Sequence, residues 1–279
     1  MRSLRALFLA LAFFGLTLAS APIQYLAIRF RLGLQKSYPH GYHKLLCRLF
    51  GLHVTVLGKP VRDTGVLLAA NHTSYFDILV LSAALPVSFV AKSEVSGWFL
   101  FGLMARLQRS VFIERTRRKH TGEVRDVLRE RLKNGDALVL FPEGTCSDGN
   151  HILPFKSALM GAVEAELGHD AAGHLRHVPV QPVSISYVAA HGIPLGRENR
   201  PLFAWYGDMD LMSHLWEALK TGPLDVIVEF HPPLTAGPAC GRKEIALLAE
   251  AKVREGQRRA LSGDWGWERS EKPPEKEAA

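Results

Sequence analysis

Short apolar runs alternate with helix-like stretches along most of the chain. His53 to Leu57 alternates apolar and polar positions and stops at Gly58-Lys59-Pro60, which predicts a strand closed by a turn. Gly65 to Ala70 is a continuous apolar run, the pattern of a strand buried on both faces. A helix is expected from about Asp77, a strand over Val87–Ala91, a helix from about Gly97 to Leu107 and a strand-like stretch over Ser110–Glu114. Arg117–Lys133 reads as an amphipathic helix ended by Asn134-Gly135, Ala137–Phe141 as a buried strand and Ser157–Leu167 as a helix. Further strands are expected over Val178–Tyr187 and Val226–Phe230, and a last helix over about Arg242–Leu261. This alternation predicts an α/β domain with a mostly parallel sheet flanked by helices.

The N-terminus follows a different pattern. Between Arg5 and Arg29 lie 23 uncharged, mostly apolar residues, about 35 Å of helix at 1.5 Å per residue. Pro22 divides this stretch and leaves a first part, Ala6 to Ala21, that is marginal for a full span. Arg2, Arg5 and the small residues Ala19-Ser20-Ala21 also fit a cleaved signal peptide. Against cleavage, Pro22 would follow the cut, and cations continue at Arg29, Arg31 and Lys36, which suits a retained anchor on the cytoplasmic face. The expected organisation is an anchor over residues 1–36, one domain over 37–262 and a disordered tail over 263–279.

Charge strengthens the membrane reading. Residues 1–62 hold nine Lys or Arg and no Asp or Glu, so of the net +7 the remainder carries −2, from 25 basic against 27 acidic residues. Cations beside a greasy segment suit an anionic membrane surface and not nucleic acid. At 47% hydrophobic residues the chain is too apolar to be disordered. Its cysteines, Cys47, Cys146 and Cys240, lie far apart with no metal-ligand spacing, which argues against a disulfide scaffold or structural zinc. No Walker or dinucleotide-binding glycine pattern occurs.

Two segments at strand ends carry candidate chemistry, where α/β sheets place their sites. In Asn71-His72-Thr73-Ser74-Tyr75-Phe76-Asp77, a carboxylate five residues on can reach the imidazole, as in a general base with its orienting group. Taken alone, the pair reads as well as a capping Asp beside a structural His. Phe141-Pro142-Glu143-Gly144-Thr145 presents one carboxylate directly after a strand, and alone it is equally an ordinary turn. Between them Val111-Phe112-Ile113-Glu114-Arg115 projects an Arg that fits a ligand site or a surface ion pair.

Taken together and in this order, His72/Asp77, Phe112-Ile113-Glu114-Arg115, Phe141–Thr145 and Val178-Pro179-Val180-Gln181-Pro182-Val183 resemble the four blocks of the glycerolipid acyltransferase family. That family includes the 1-acylglycerol-3-phosphate acyltransferases, and the resemblance covers roughly residues 50–235. It implies a single acyltransferase domain, with His72 as catalytic base, Asp77 as its partner and Arg115, Glu143, Gly144 and Thr145 at the substrate. Lys92, just after a predicted strand, is a candidate oxyanion donor or a plain surface lysine. The implied reaction moves an acyl group from an acyl carrier protein or acyl-CoA thioester to the hydroxyl of a lysolipid, with no cofactor, at the inner membrane with the domain facing the cytoplasm.

One position departs from the phosphatidate-forming pattern. There the third block continues with an Arg that pairs with the acceptor's phosphate, whereas this chain has Cys146, followed by Ser147-Asp148-Gly149. A thiol cannot make the charged, bidentate contact of an Arg. With Leu153 to Leu159, these residues resemble the bacterial lyso-ornithine lipid acyltransferases, while Arg115 and Lys156 keep lysophosphatidate open as acceptor. A hydrolase using Cys146 lacks a Gly-x-Ser-x-Gly elbow. A non-catalytic membrane-binding module is the alternative of a different class.

Overall fold

The computed structural model describes residues 2–113, 121–158, 160, 166–169, 175–235 and 240–263. Two long helices come first, α1 (Arg2–Arg29) and α2 (Leu34–Phe50), then strand β1 (Leu52–Gly58). Strands and helices next alternate as β2 (Val66–Ala70), α3 (Phe76–Ala84), β3 (Ser88–Lys92), α4 (Phe99–Leu107), β4 (Val111–Ile113), α5 (Thr121–Lys133) and β5 (Ala137–Leu140). A hairpin of β6 (Glu166–His169) and β7 (Leu175–His177) leads into β8 (Pro179–Ala190) and β9 (Ile193–Pro194). The remaining elements are α6 (Leu211–Thr221), β10 (Leu224–Phe230), β11 (Leu234–Thr235) and α7 (Arg242–Ser262).

The main sheet runs β1-β10-β8-β2-β5-β3-β4, with β9 and β11 added along β8. β2 is parallel to both β5 and β8, and β3 to both β5 and β4, while β10 runs antiparallel to β8. This is the α/β, largely parallel arrangement that the alternation of elements predicts. β2 is buried throughout because it lies between two layers: Val66, Leu68 and Ala70 enter one core, Leu67 and Ala69 the other. Gly65 begins this strand where a Cβ would stand 1.8 Å from the carbonyl oxygen of Leu132, so α5 can approach the sheet only if residue 65 has no side chain.

α1 runs unbroken through Pro22 and packs along α2, α6 and α4. Its inward stripe, Ala6, Leu9, Thr17, Gln24 and Ala27, is mostly small or polar, whereas Leu4, Leu7, Phe8, Leu11, Phe14, Leu18, Tyr25 and Leu26 are exposed. That polarity is inverted relative to a helix on a water-soluble surface. Polar contacts hold the helix near both ends. Arg5 donates to the carbonyls of Leu219 and Phe50, the C-terminal turns of α6 and α2, where cations are favoured. Gln24 Nε2 donates to the carbonyls of Leu107 at 2.8 Å and Gln35 at 3.1 Å.

The second of these bonds explains an element the sequence pattern hides. α2 contains Pro39, which has no N–H for the carbonyl of Gln35 four residues earlier; the Gln24 amide occupies that acceptor. Tertiary contacts thus sustain a helix that Pro39 and Gly41 argue against locally. One expectation is corrected: Glu166–His169 is a strand, not the end of a helix over Ser157–Leu167. Backbone pairing with β7 replaces helical bonds at Gly168, a poor helix former. Residues 117–120 of the amphipathic helix and most of the expected tail lie outside the described residues.

Arg5→Met should keep the apolar stem and lose both helix-end contacts. Urea unfolding in detergent is expected to show a loss of about 1.5–3 kcal/mol; an unchanged midpoint would mean that these carbonyls are equally well served without Arg5.

Candidate active site

β2 leaves the sheet at Asn71. The Asn71 side chain continues the ladder in place of backbone: its Nδ2 donates to the Ile185 carbonyl at 2.9 Å, and the Ile185 N–H donates to its Oδ1 at 2.8 Å. The next residue, His72, is thereby released into the loop before α3. Its Nδ1 donates to Asp77 Oδ2 at 2.8 Å, which fixes the tautomer with Nε2 as the free nitrogen. Asp77 Oδ2 also accepts the N–H groups of Thr73 (2.7 Å) and Ser74 (2.9 Å), and Tyr187 on β8 donates its hydroxyl to Oδ1 at 2.7 Å. Asp77 is wholly buried, whereas the His72 side chain is 20% exposed. The ring can be reached from solvent; its carboxylate partner cannot.

The segment after β5 closes over His72 from the other side. Phe141 stacks on the imidazole, with centroids 3.9 Å apart and planes inclined by 12°. Glu143 accepts the His72 N–H at one carboxylate oxygen and the Leu153 N–H at the other, each at 2.6 Å. Gly144 makes this possible: its N–H donates to the Phe141 carbonyl and its φ of 79° lies in the left-handed region. The Ser147 N–H then donates to the His72 carbonyl at 2.8 Å. Burial pushes the Glu143 carboxyl up to about 7, against the two N–H groups that favour its charge.

Cys146 is next to Ser147, whose N–H is bonded to the His72 carbonyl, and so stands beside the His72 loop. Burial disfavours the imidazolium, and the Asp77 carboxylate opposes burial by favouring it. Asp148 turns back on its own loop: one oxygen accepts the N–H groups of Asn150 and His151, and the other meets His151 Nδ1 at 3.1 Å.

The fold therefore brings together His72, Asp77, Glu143 and Gly144. Thr145 is exposed beside them, and Lys92 is exposed at the end of β3, among the strand ends on the same side of the sheet. Arg115 lies outside the described residues. Sequence reasoning missed Tyr187 and the ladder role of Asn71. The only hint of the first was a Tyr at the end of an otherwise apolar strand.

An acyltransferase family model matches residues 53–186, spanning the His72 loop and the Glu143 turn and ending one residue before Tyr187. A lyso-ornithine lipid O-acyltransferase of Brucella abortus is 44% identical over 94% of this chain and 97% of its own length. The chain belongs to the glycerolipid acyltransferase family. A 1-acyl-sn-glycerol-3-phosphate acyltransferase of Neisseria gonorrhoeae is 34% identical over 61% of each chain. The crystal structure of the 1-acyl-sn-glycerophosphate acyltransferase of Thermotoga maritima superposes with a TM-score of 0.65 at 25% identity, covering 95% of this chain and 99% of that one.

Two consequences of the acyltransferase's site geometry are measurable. Tyr187→Phe leaves a buried carboxylate oxygen without its donor and should cost about 1.5–3 kcal/mol in urea unfolding; a cost near zero would show that Asp77 Oδ1 is satisfied some other way. Asp77→Asn removes the carboxylate that favours the imidazolium. His72, followed by NMR titration, should then give up its proton at a lower pH than in the parent protein. An unmoved titration would show that Asp77 does not set the charge of the ring.

Proposed function

We propose that this lysolipid acyltransferase moves a fatty acyl group from an acyl carrier protein or acyl-CoA thioester to the hydroxyl of lyso-ornithine lipid. The observation that carries the reading is the His72–Asp77 dyad with Cys146, and not an arginine, beside it. His72 Nε2 takes the proton of the acceptor hydroxyl as its oxygen attacks the thioester carbonyl. Asp77 holds the ring and balances its positive charge. When the tetrahedral intermediate collapses, the C–S bond breaks and the departing thiolate takes the proton back from His72. A thioester is already activated, so neither a cofactor nor a covalent enzyme intermediate is required. A base positioned in this way contributes about 10²–10⁴ in rate. Lys92 and backbone N–H groups at the strand ends are the candidate donors to the oxyanion. Glu143 acts through His72 by fixing its backbone and Thr145 lines the acceptor side, while for Arg115 a role in acceptor binding rests on the family resemblance alone.

α1 supplies the membrane contact. Because Arg5 and Gln24 tie it near both ends to the body, it lies along the domain with its Leu and Phe side chains outward. This supports a retained helix lying in the plane of the cytoplasmic leaflet of the inner membrane. Phe99 and Leu103 on the adjacent α4, with Trp98 just before it, extend the exposed apolar surface.

The test is a competition between lyso-ornithine lipid and lysophosphatidate at equal concentration, with labelled acyl donor and membranes containing the protein. The parent protein should favour lyso-ornithine lipid, Cys146→Arg should raise the lysophosphatidate share by about ten- to a hundredfold, and His72→Ala should lose at least about 99% of turnover on both. A parent protein that prefers lysophosphatidate would refute the acceptor assignment. Turnover above about a tenth in His72→Ala would refute the base.

A further inference from the structure

Beside the Cys146 loop lies a cluster of charged groups in which two arginines have no carboxylate partner among the described residues. Thr73, next to His72, accepts the Trp205 N–H at 2.9 Å on its carbonyl, which seats the segment after β9 against the site. Gly149 is wedged between: a Cβ there would lie 3.2 Å from Thr73 Cγ2 and 3.7 Å from Arg200 Cβ. Arg200 is therefore one loop away from His72. Its Nη1 donates to Asn150 Oδ1 at 2.8 Å, and Asn150 Nδ2 in turn donates to the Arg197 carbonyl at 3.0 Å, so the loop and the arginine segment form one frame.

Among the described residues neither Arg197 nor Arg200 has a carboxylate partner. Arg197 Nη2 reaches only His151 Nε2, at 3.4 Å, and Asp148 is committed to the loop N–H groups and to His151. Arg200 Nε is buried and makes no hydrogen bond, as are Thr73 Oγ1 and Ser147 Oγ on either side of His72. A half-buried guanidinium with an unsatisfied N–H and a second cation beside it destabilises the free protein, and an anion with two acceptor oxygens would relieve it. Burial and Arg197 both act to disfavour the charge on Arg200, and no acidic group opposes them.

We propose that Arg200, assisted by Arg197, forms the subsite for the carboxylate of the acceptor head group. This rests on lyso-ornithine lipid as the acceptor. In that molecule the free hydroxyl and the ornithine carboxylate are joined by a short tether, one methylene, one amide and one α-carbon. An enzyme that holds the hydroxyl at His72 must therefore meet the carboxylate nearby, and Arg200 stands at the next loop. The cation that Cys146 does not provide is supplied from a different part of the chain, at a position suited to a carboxylate displaced from the reacting hydroxyl.

The experiment compares lyso-ornithine lipid with its carboxyl methyl ester as acceptors for the full-length protein in detergent micelles. The parent protein should show a KM about 10- to 100-fold higher for the ester, with kcat changed much less. In Arg200→Gln the two KM values should converge, because the acid loses what the ester already lacks; Arg200→Lys should restore part of the difference and Arg197→Gln should reduce it less. A parent protein that uses acid and ester equally overturns the subsite whether or not any variant folds, and so does an Arg200→Gln variant that still discriminates as the parent does. A parent protein that acylates lysophosphatidate in preference fails at the acceptor assignment itself. That result is distinct from robust turnover of lyso-ornithine lipid without discrimination of the ester, which overturns the carboxylate subsite alone.

Discussion

A carboxylate without access to water is held in place at Asp77, and much of the surrounding architecture follows from keeping it satisfied. Burying an unpaired charge costs far more than a typical domain's net stability can absorb. Asp77 is tolerated because four donors converge on it: the His72 ring, the Thr73 and Ser74 N–H groups and the Tyr187 hydroxyl. Three of them are local and set the shape of the β2–α3 loop. The fourth comes from β8, the parallel neighbour of β2, so the sheet register that places Ala70 against Val183 also fixes the distance from Tyr187 to Asp77. A shift of one residue in that register would point Tyr187 to the other face of the sheet and leave the carboxylate one donor short.

Glu143 solves a different problem with the same kind of group. The loop after β5 has to cover His72 without blocking its free nitrogen. A carboxylate bridging two backbone N–H groups, one on His72 and one on Leu153, draws the two loops together through acceptors alone. The Phe141 ring then fills the face of the imidazole. Residue 146 stands next to Ser147, whose N–H holds the His72 carbonyl, so that position is sensitive in electrostatic as well as steric terms: an arginine there would disfavour a positive charge on His72, where a thiol would not.

What could be read from the sequence divides along contact distance. His72 and Asp77 are legible because five residues separate them, and the buried strands because their apolar runs are continuous. Tyr187 lies 110 positions from Asp77, and Arg200 meets Asn150 across 50, so neither contact leaves a local pattern. α2 escaped notice for a similar reason: Pro39 and Gly41 speak against it, and the groups that sustain it lie elsewhere, at Gln24 and at Ser82. Over Ser157–Leu167 the error ran the other way, since local periodicity suggested a helix where Glu166–His169 finds a strand partner in β7.

The helix with the exposed apolar face and the site are mechanically close. α1 packs on α2, and α2 packs on α3, the helix that carries Asp77. The α2–α3 joint is itself polar: His40 donates to the Ser82 carbonyl at 2.6 Å, and Ser82 Oγ is shared by His43 and Gln108. Burial lowers His43 to about 4, so it remains neutral at this joint across the physiological range and adds no charge that the interior would have to balance. A joint built from hydrogen bonds has a definite geometry, unlike an apolar contact that slides. Apolar surface on α1 that would destabilise the protein in water becomes favourable in contact with lipid. Contact with lipid would thus favour α1 where it lies, and α1 is joined through α2 and the Ser82 joint to the helix that carries Asp77.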